Sequence, residues 1–244
     1  MKITRGYMLK NKKLVCFDLD GTLIDSVGIW NQVDAELIFQ LSGQKVDLNH
    51  IQMRRDQQLI KHKNQKDPYL EYCDFLSQKY DFNLAKTEVK TRRYSISQYF
   101  LDHVVTLKPN AERCIQYLQQ QGLQLALTTT TSLMNIERYT KNNAQIHTQL
   151  NFAEVFSLIL TRENVQNIKP DPEIYLKALA HFNISAEQCL IIEDSLIGIN
   201  AAKSARIDVW AIYDLWSHTE WTDIQSQANL SFQSYAEMLT KLGQ

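Results

Sequence analysis

The sequence predicts an α/β protein with a Rossmann-like parallel sheet and an inserted helical cap. From about residue 107 onward, short apolar runs alternate with stretches of helical spacing, which is typical of parallel strands joined by right-handed crossovers. One further apolar run, residues 15–17, precedes a long stretch in which only helical spacing recurs. The sheet domain is therefore predicted to be discontinuous, with residues 1–25 and 107–244 in the core and residues 26–106 in the cap.

The predicted cap is helical, and its sequence shows no convincing strand. The first helix ends at Gly43 and has apolar residues at helical spacing, namely Trp30, Val33, Leu37, Ile38 and Leu41. A second helix begins at Asp67-Pro68, because proline is favoured in the first helical turn. A third is predicted over about residues 85–103. No element is assigned to the polar, charged segment 47–66.

The predicted elements of the core alternate along the chain. After the first strand, the predicted strands cover residues 123–127, 155–160, 189–192 and 209–213. The predicted helices cover residues 111–121, 133–142 and 173–182, a short segment around Gly198, and about residues 235–242. Residues 214–244 carry no chemistry that the sequence pattern indicates.

Composition excludes several classes of function. With 244 residues, 44% of them hydrophobic, the chain is long enough for a core and a second lobe. A net charge of -1 gives no electrostatic footprint for nucleic acid or an acidic membrane surface. No apolar run reaches the length of a signal peptide or a membrane span. We expect a cytoplasmic monomer without nucleic-acid or membrane partners, whose four cysteines are buried free thiols.

Polar side chains follow four of the predicted strands. They are Asp18 and Asp20, a hydroxyl run centred on Thr129, Lys169 in the loop after the third strand, and Glu193 with Asp194. Because the carboxyl ends of parallel strands meet at one edge of the sheet, these groups are predicted to lie together. Clustered carboxylates repel one another unless a cation offsets their charge, and oxygen ligands favour Mg²⁺. Taken singly, the same residues could be an acidic turn, a solvated lysine and helix caps.

The combined set suits phosphoryl transfer, which depends on positioning and charge neutralisation. One carboxylate can attack phosphorus, and a second can protonate the leaving oxygen and then accept a proton from water. A lysine and a hydroxyl can bind the remaining phosphoryl oxygens.

Four motifs in order make the chain resemble the haloacid dehalogenase superfamily, in the group with a small α-helical cap that includes β-phosphoglucomutase and phosphoglycolate phosphatase. The motifs are Asp18-Leu19-Asp20-Gly21-Thr22, the strand that ends at Thr129, Lys169 with Pro170, and Glu193-Asp194-Ser195. The resemblance implies that Asp18 is the nucleophile and Asp20 the general acid and base. It also implies that Thr129, Thr130 and Lys169 bind phosphate. The implied metal is Mg²⁺, held by Asp18, the backbone carbonyl of Asp20, Asp194 and, nearby, Glu193.

Three positions depart from the family pattern. Thr130 stands where asparagine is common in the second motif. Ile168 replaces a glycine before the third-motif lysine, and Arg206 replaces a glycine after the helix of the fourth motif. None of the three removes a required functional group.

Within the family, Asp20 argues against the dehalogenase and phosphonate-cleaving branches, which lack that aspartate. The first interpretation is a Mg²⁺-dependent phosphatase that acts on a small organophosphate such as a sugar phosphate, through an aspartyl-phosphate. Trp30 appears at the position where the phosphosugar mutases carry a histidine, so mutase activity is the alternative. A binding or regulatory module with weak catalysis is the third possibility.

Substrate choice is expected to lie in a cap that closes over the site and excludes water. The candidate substrate residues are Trp30, Asn31, Arg54 and Arg55, with Lys61, His62 and Lys63 as further charged candidates. The alternatives are a place in the cap core for Trp30 and an ordinary solvated helix face for the charged residues.

Overall fold

The predicted parallel sheet is present in the computed structural model, which describes residues 8–62 and 65–244. Within these residues one sheet has the strand order β3-β2-β1-β4-β5-β6, and every neighbouring pair is parallel. The strands are β1 (Leu14–Phe17), β2 (Gln124–Thr128), β3 (Leu158–Leu160), β4 (Cys189–Glu193), β5 (Asp208–Ile212) and β6 (Leu230–Phe232). The predicted α/β fold class is confirmed.

The register of the central strands sets the position of the polar strand ends. Phe17 in β1 pairs with Leu127 on one side and with Ile192 on the other. Residue 18 therefore lies level with residues 128 and 193 at the carboxyl edge. All four residues of β1 are buried, as expected for a strand whose two faces are both covered by helices.

The chain divides into two compact units. One comprises Val105–Gln244 with the described residues up to Val27, and the other is Gly28–Val104. Their assignment as catalytic core and cap stays a prediction. None of the helices in the described part of the chain is long and apolar enough to cross a membrane.

The Gly28–Val104 unit is helical throughout its described elements. Its helices are α1 (Ile29–Ser42), α2 (Leu48–Lys61), α3 (Pro68–Lys79) and α4 (Lys86–His103). α1 ends at Gly43, whose φ of 70° is the left-handed conformation that glycine tolerates best. At the start of α3, the Asp67 side chain accepts a hydrogen bond from the backbone N–H of Leu70.

Helix α2 falls in the segment to which the sequence pattern assigned no element. Asp47 caps its first turn by accepting a hydrogen bond from the backbone N–H of His50. Only Ile51 and Arg55 are buried along its length. The inward face of α2 is thus completed by an arginine, which removes the apolar periodicity that would have predicted a helix.

The other unit carries the remaining helices around the sheet. They are α5 (Ala111–Gln120), α6 (Leu133–Lys141), α7 (Ala144–Gln149), α8 (Phe152–Val155), α9 (Glu173–Phe182), α10 (Leu196–Ser204), α11 (Trp221–Gln227) and α12 (Tyr235–Leu242). The predicted strand over residues 155–160 is too long, because Asn151 accepts a hydrogen bond from the N–H of Ala153 and starts α8 instead. The cysteines are buried free thiols, as predicted.

Candidate active site

A tight turn at Gly21 follows the two aspartates of the first motif. Gly21 has a φ of 82°, and its N–H donates to the carbonyl of Ile24 at 2.9 Å. A Cβ at this position would lie 2.3 Å from the Oδ2 atom of Asp194. Glycine is therefore required here both by the left-handed backbone and by the close approach of a carboxylate.

Lys169 is buried among three acceptors at the carboxyl edge of the sheet. Its Nζ lies 2.7 Å from Asp18 Oδ1, 2.8 Å from Glu193 Oε1 and 3.0 Å from the carbonyl oxygen of Thr128. An ammonium group has three N–H donors, so these contacts use all of them. The side chain is only 3% exposed, so it is not the solvated loop lysine of the alternative interpretation.

Asp18, Glu193 and Asp194 form a buried acidic cluster. Each offers a carboxylate oxygen, and these oxygens all lie within 4.8 Å of one another. The hydroxyl of Thr22 donates to Asp194 Oδ1 at 2.8 Å. Three carboxylates beside one ammonium leave two negative charges without compensation, in a site that offers only oxygen donors. Such a donor set fits a hard divalent cation such as Mg²⁺.

Glu193 is held more firmly than the other two acids. Besides Lys169, it accepts hydrogen bonds from the backbone N–H groups of Asp194 and Ser195 through Oε2, at 2.8 and 2.9 Å. A Cβ on Gly198 would lie 1.6 Å from Glu193 Oε1, so the start of α10 packs directly on this carboxylate. Both oxygens of Glu193 are thus engaged by the protein.

The protonation of the cluster follows from its burial. Burial raises the pKa of the Asp18 carboxyl to about 7 against the opposing charge of Lys169, and Glu193 adds to the rise. Burial also raises the pKa of Asp194, with the charges of Glu193 and Asp18 acting in the same direction. Burial opposes the charged form of Lys169, but the adjacent Asp18 and Glu193 outweigh it and raise the lysine pKa. Without a further cation, Asp18 and Asp194 therefore hold protons more tightly than usual.

Asp20 lies outside this cluster, in a pocket of hydroxyl groups. Its Oδ1 accepts a hydrogen bond from Ser26 at 2.5 Å, and its Oδ2 accepts one from the hydroxyl of Thr131. Burial raises the pKa of Asp20, while the Ser26 and Thr131 hydrogen bonds lower it. A carboxyl with a raised pKa is suited to donate a proton.

The hydroxyl run after β2 forms a tight turn at the start of α6. Thr129 is buried, and its N–H donates to the carbonyl of Leu160 at 3.0 Å. The Thr129 hydroxyl accepts a hydrogen bond from the N–H of Thr131 at 3.0 Å. Thr130 is exposed, and Ser132 caps the helix. A buried hydroxyl and a helix N-terminus at one strand end form a setting that favours an anion.

The family model of the haloacid dehalogenase-like hydrolases matches residues 15–212, which is most of the chain. The chain belongs to this family. The resemblance inferred from the four motifs is thereby confirmed.

Curated relatives of this chain include phosphatases. The chain is 28% identical over 210 residues to a bifunctional riboflavin kinase/FMN phosphatase of Arabidopsis thaliana, an alignment that covers 86% of this chain and 51% of the plant protein. The chain thus spans about half the length of that relative. It is 26% identical over 248 residues to a phosphoglycolate phosphatase of Escherichia coli strain K12, which covers 94% of this chain and 92% of that protein.

Solved structures share the fold of this chain. The crystal structure of CbbY from Rhodobacter sphaeroides in complex with phosphate superposes with a TM-score of 0.66 at 22% identity. The match covers 96% of this chain and 100% of the CbbY chain. At this identity, the likeness establishes the fold and no more.

The candidate substrate residues of the Gly28–Val104 unit have partners inside that unit. The guanidinium carbon of Arg93 lies 5.2 Å from the centre of the Trp30 ring. Asn31 is buried, and its Nδ2 donates to Gln52 Oε1 at 3.2 Å. Arg54 Nη1 donates to the hydroxyl of Tyr80 at 3.0 Å. The roles of Trp30, Asn31 and Arg54 as substrate contacts stay predictions.

Arg55 belongs to a buried ion cluster. Its Nη1 lies 3.2 Å from Asp34 Oδ2, and Arg93 Nε lies 2.6 Å from Asp34 Oδ1. Arg55 is therefore part of the interior and not of a solvated helix face, and a role in binding substrate stays a prediction. Lys61 and His62 lie at the end of α2, while Lys63 lies outside the described residues.

Several residues that line the site escaped the sequence analysis. Ser26, Thr131 and Thr22 donate hydroxyl hydrogen bonds to the site carboxylates. The sequence pattern indicated no chemistry for residues 214–244, and in the structure the Ser217 hydroxyl of that segment lies 3.4 Å from Asp194 Oδ2. Thr22 and Thr131 had a signal in the sequence, as members of the first motif and of the hydroxyl run, whereas Ser26 and Ser217 had none.

Proposed function

We propose that this protein is a Mg²⁺-dependent phosphatase that acts on small phosphomonoesters through a phosphorylated Asp18. The observation that carries the proposal is the position of Asp18 within the acidic cluster and beside Lys169, whose Nζ lies 2.7 Å from Asp18 Oδ1. Among the described residues, no hydrogen-bond donor engages Asp18 Oδ2. The Asp18 side chain is 10% exposed, against 1% for Glu193. Asp18 thus has the more accessible carboxylate.

In the proposed first step, the carboxylate of Asp18 attacks phosphorus and the bond from phosphorus to the ester oxygen breaks. Asp20 gives its proton to the leaving oxygen, so the alcohol departs neutral. Lys169 keeps a positive charge beside the reacting carboxylate, and Thr129 and Thr130 would bind phosphoryl oxygens. Mg²⁺, held by Asp18, Asp194 and the Asp20 carbonyl, would supply charge that reduces repulsion between nucleophile and phosphate.

In the second step, Asp20 accepts a proton from water as the water oxygen attacks phosphorus. The bond from phosphorus to the Asp18 oxygen breaks, and inorganic phosphate and the free carboxylate result. The same residue thus acts first as acid and then as base. The Asp20 carboxylate is bound by Ser26 and Thr131 and is not one of the proposed cation ligands. This supports its assignment as acid and base, because a carboxylate bound to a cation would not hold a proton.

The test is phosphate release from p-nitrophenyl phosphate and a panel of small phosphomonoesters, with Mg²⁺ or with EDTA. The panel includes sugar phosphates, phosphoglycolate and FMN, the last two because relatives are named for them. We expect Mg²⁺-dependent release that falls at least about 10³-fold in Asp18→Asn. Asp25→Asn is the matched control, since Asp25 is an exposed aspartate of the same segment.

A wild-type protein that releases no phosphate from any member of the panel would refute the proposal. The next assay would then be conversion of β-glucose 1-phosphate to glucose 6-phosphate, which tests the mutase alternative. Stabilisation by Mg²⁺ without turnover in either assay would support the binding module.

A further inference from the structure

Asp194 is oriented by two hydroxyl groups from distant parts of the chain. Thr22 donates to its Oδ1 at 2.8 Å, and Ser217 donates to its Oδ2 at 3.4 Å. Thr22 belongs to the first motif, whereas Ser217 lies in the 3₁₀ helix Leu215–Glu220 that follows β5. Each oxygen of this carboxylate therefore has its own donor, and rotation of the carboxylate would break one of the two contacts.

The segment that carries Ser217 is held in shape by Asp214. One oxygen of the Asp214 carboxylate accepts a hydrogen bond from the N–H of Trp216 at 2.9 Å. The backbone carbonyl of Asp214 accepts one from the N–H of Ser217 at 3.2 Å. Asp214 is 2% exposed, so its conformation is determined by these protein contacts and not by solvent.

Lys108 fixes Asp214 from the other side. Its Nζ lies 2.7 Å from Asp214 Oδ2 and 3.1 Å from the carbonyl oxygen of Tyr213. The backbone N–H of Lys108 donates to the carbonyl of Leu23 at 2.8 Å, so the lysine itself is tied to the segment after the first motif. The side chains of Lys108 and Asp214 are 14% and 3% exposed, which makes this a largely buried ion pair.

We propose that Ser217 is a positioning residue of the cation site and that the Lys108–Asp214 pair holds it in place. The inference rests on the proposed Mg²⁺-dependent hydrolysis, in which Asp194 is a metal ligand. A carboxylate already oriented by hydrogen bonds loses little freedom when it binds a cation, so these partners raise the affinity for the metal. Ser217 acts through Asp194 and need not touch the substrate.

The test is a calorimetric titration of metal-free protein with Mg²⁺, which reads metal affinity independently of turnover. We expect Ser217→Ala to raise the dissociation constant about tenfold, as loss of a carboxylate's hydrogen-bonding partner does in other metal sites. Ser217→Thr keeps the hydroxyl and should retain affinity near that of the wild type. Ser226→Ala is the matched control, because Ser226 is an exposed serine that donates to the carbonyl of Asp223. Its affinity should not change.

A second variant tests the buried pair. Lys108→Met should also weaken Mg²⁺ binding, and adding Ser217→Ala to it should cause little further loss, because both changes act on the same contact. Thermal unfolding of metal-free Ser217→Ala should match that of the wild type, which separates positioning from general stability.

Equal Mg²⁺ affinity in wild type and Ser217→Ala would overturn this inference and leave the proposed function standing. A wild-type protein that binds no Mg²⁺ would overturn the cation site and the inference together. Phosphate release by the wild type, measured separately, decides whether the proposed hydrolysis also fails.

Discussion

Replacing Lys169 by methionine should destabilise the metal-free protein strongly at alkaline pH. The ammonium contacts Asp18, Glu193 and the carbonyl of Thr128, and its side chain is 3% exposed. Removing one partner of a buried ion pair costs about 3–5 kcal/mol, because the remaining charge is left uncompensated. Here two carboxylates lose a partner, so we expect a loss of about 4 kcal/mol in the free energy of unfolding at about pH 8.

The loss should shrink as the pH falls. Because burial raises the pKa of Asp18 to about 7, its folded state binds a proton more tightly than its unfolded state, whose pKa is near 3.8. This group therefore lowers stability as the pH rises from about 4 to about 7. At about pH 5.5 Asp18 is mostly protonated, so Lys169 no longer faces an ionised Asp18. We expect the cost of Lys169→Met to fall to about half there.

The assay is urea unfolding in EDTA at both pH values, with Lys177→Met as control. Lys177 pairs with Glu173 on α9 at 2.8 Å, but its side chain is 46% exposed. Loss of such a surface pair should cost less than about 1 kcal/mol. A cost for Lys169→Met that is below about 1 kcal/mol at about pH 8, or equal at both pH values, would refute the reasoning.

Three further predictions follow from the site and its surroundings. Because Asp18 must lose its proton to bind a cation, Mg²⁺ affinity should be about tenfold weaker at about pH 6 than at about pH 8. The measurement is the rise in melting temperature when Mg²⁺ is added, and an equal rise at both pH values would contradict this. Asp34→Asn should lower the free energy of unfolding in urea by about 3–5 kcal/mol, because it removes the buried carboxylate that pairs with both Arg55 and Arg93. Arg206 has a φ of 58°, so Arg206→Gly should raise the free energy of unfolding by about 1 kcal/mol. A lower melting temperature of Arg206→Gly would contradict the argument that the left-handed backbone conformation is unfavourable for Arg206.

Hydrophobic patterning predicted most of the fold, and it failed where polar residues took apolar places. The alternation after residue 107 identified the parallel sheet, and α9 and α12 have the predicted bounds. Helix α2 went unassigned because Arg55 fills its inward face and pairs with Asp34. An ion pair between two helices leaves no periodic signal in either sequence, so only tertiary structure identifies it.

The candidate site was predictable to the extent that its residues lie in motifs. Asp18, Lys169 and Asp194 each follow a strand, and the shared edge of a parallel sheet brings such groups together. Ser217 follows a strand as well, but a lone serine in a polar segment is indistinguishable from a surface residue. Its contact with Asp194 depends on how Asp214 and Lys108 fold the segment, which is a property of buried side chains far apart in sequence.

The different surroundings of Asp18 and Asp20 support the roles proposed for them. Both follow the same strand, yet their carboxylates meet different partners. Asp18 meets an ammonium and two other acids, which favours an ionised nucleophile once the remaining negative charge is compensated. Asp20 meets the hydroxyls of Ser26 and Thr131, neutral groups that can hydrogen-bond to it with or without its proton. Two carboxyls whose environments differ in this way can divide nucleophilic attack and proton transfer between them. The opposite assignment would need Asp20 to attack while bound by two hydroxyls, and Asp18 to keep a proton beside Lys169.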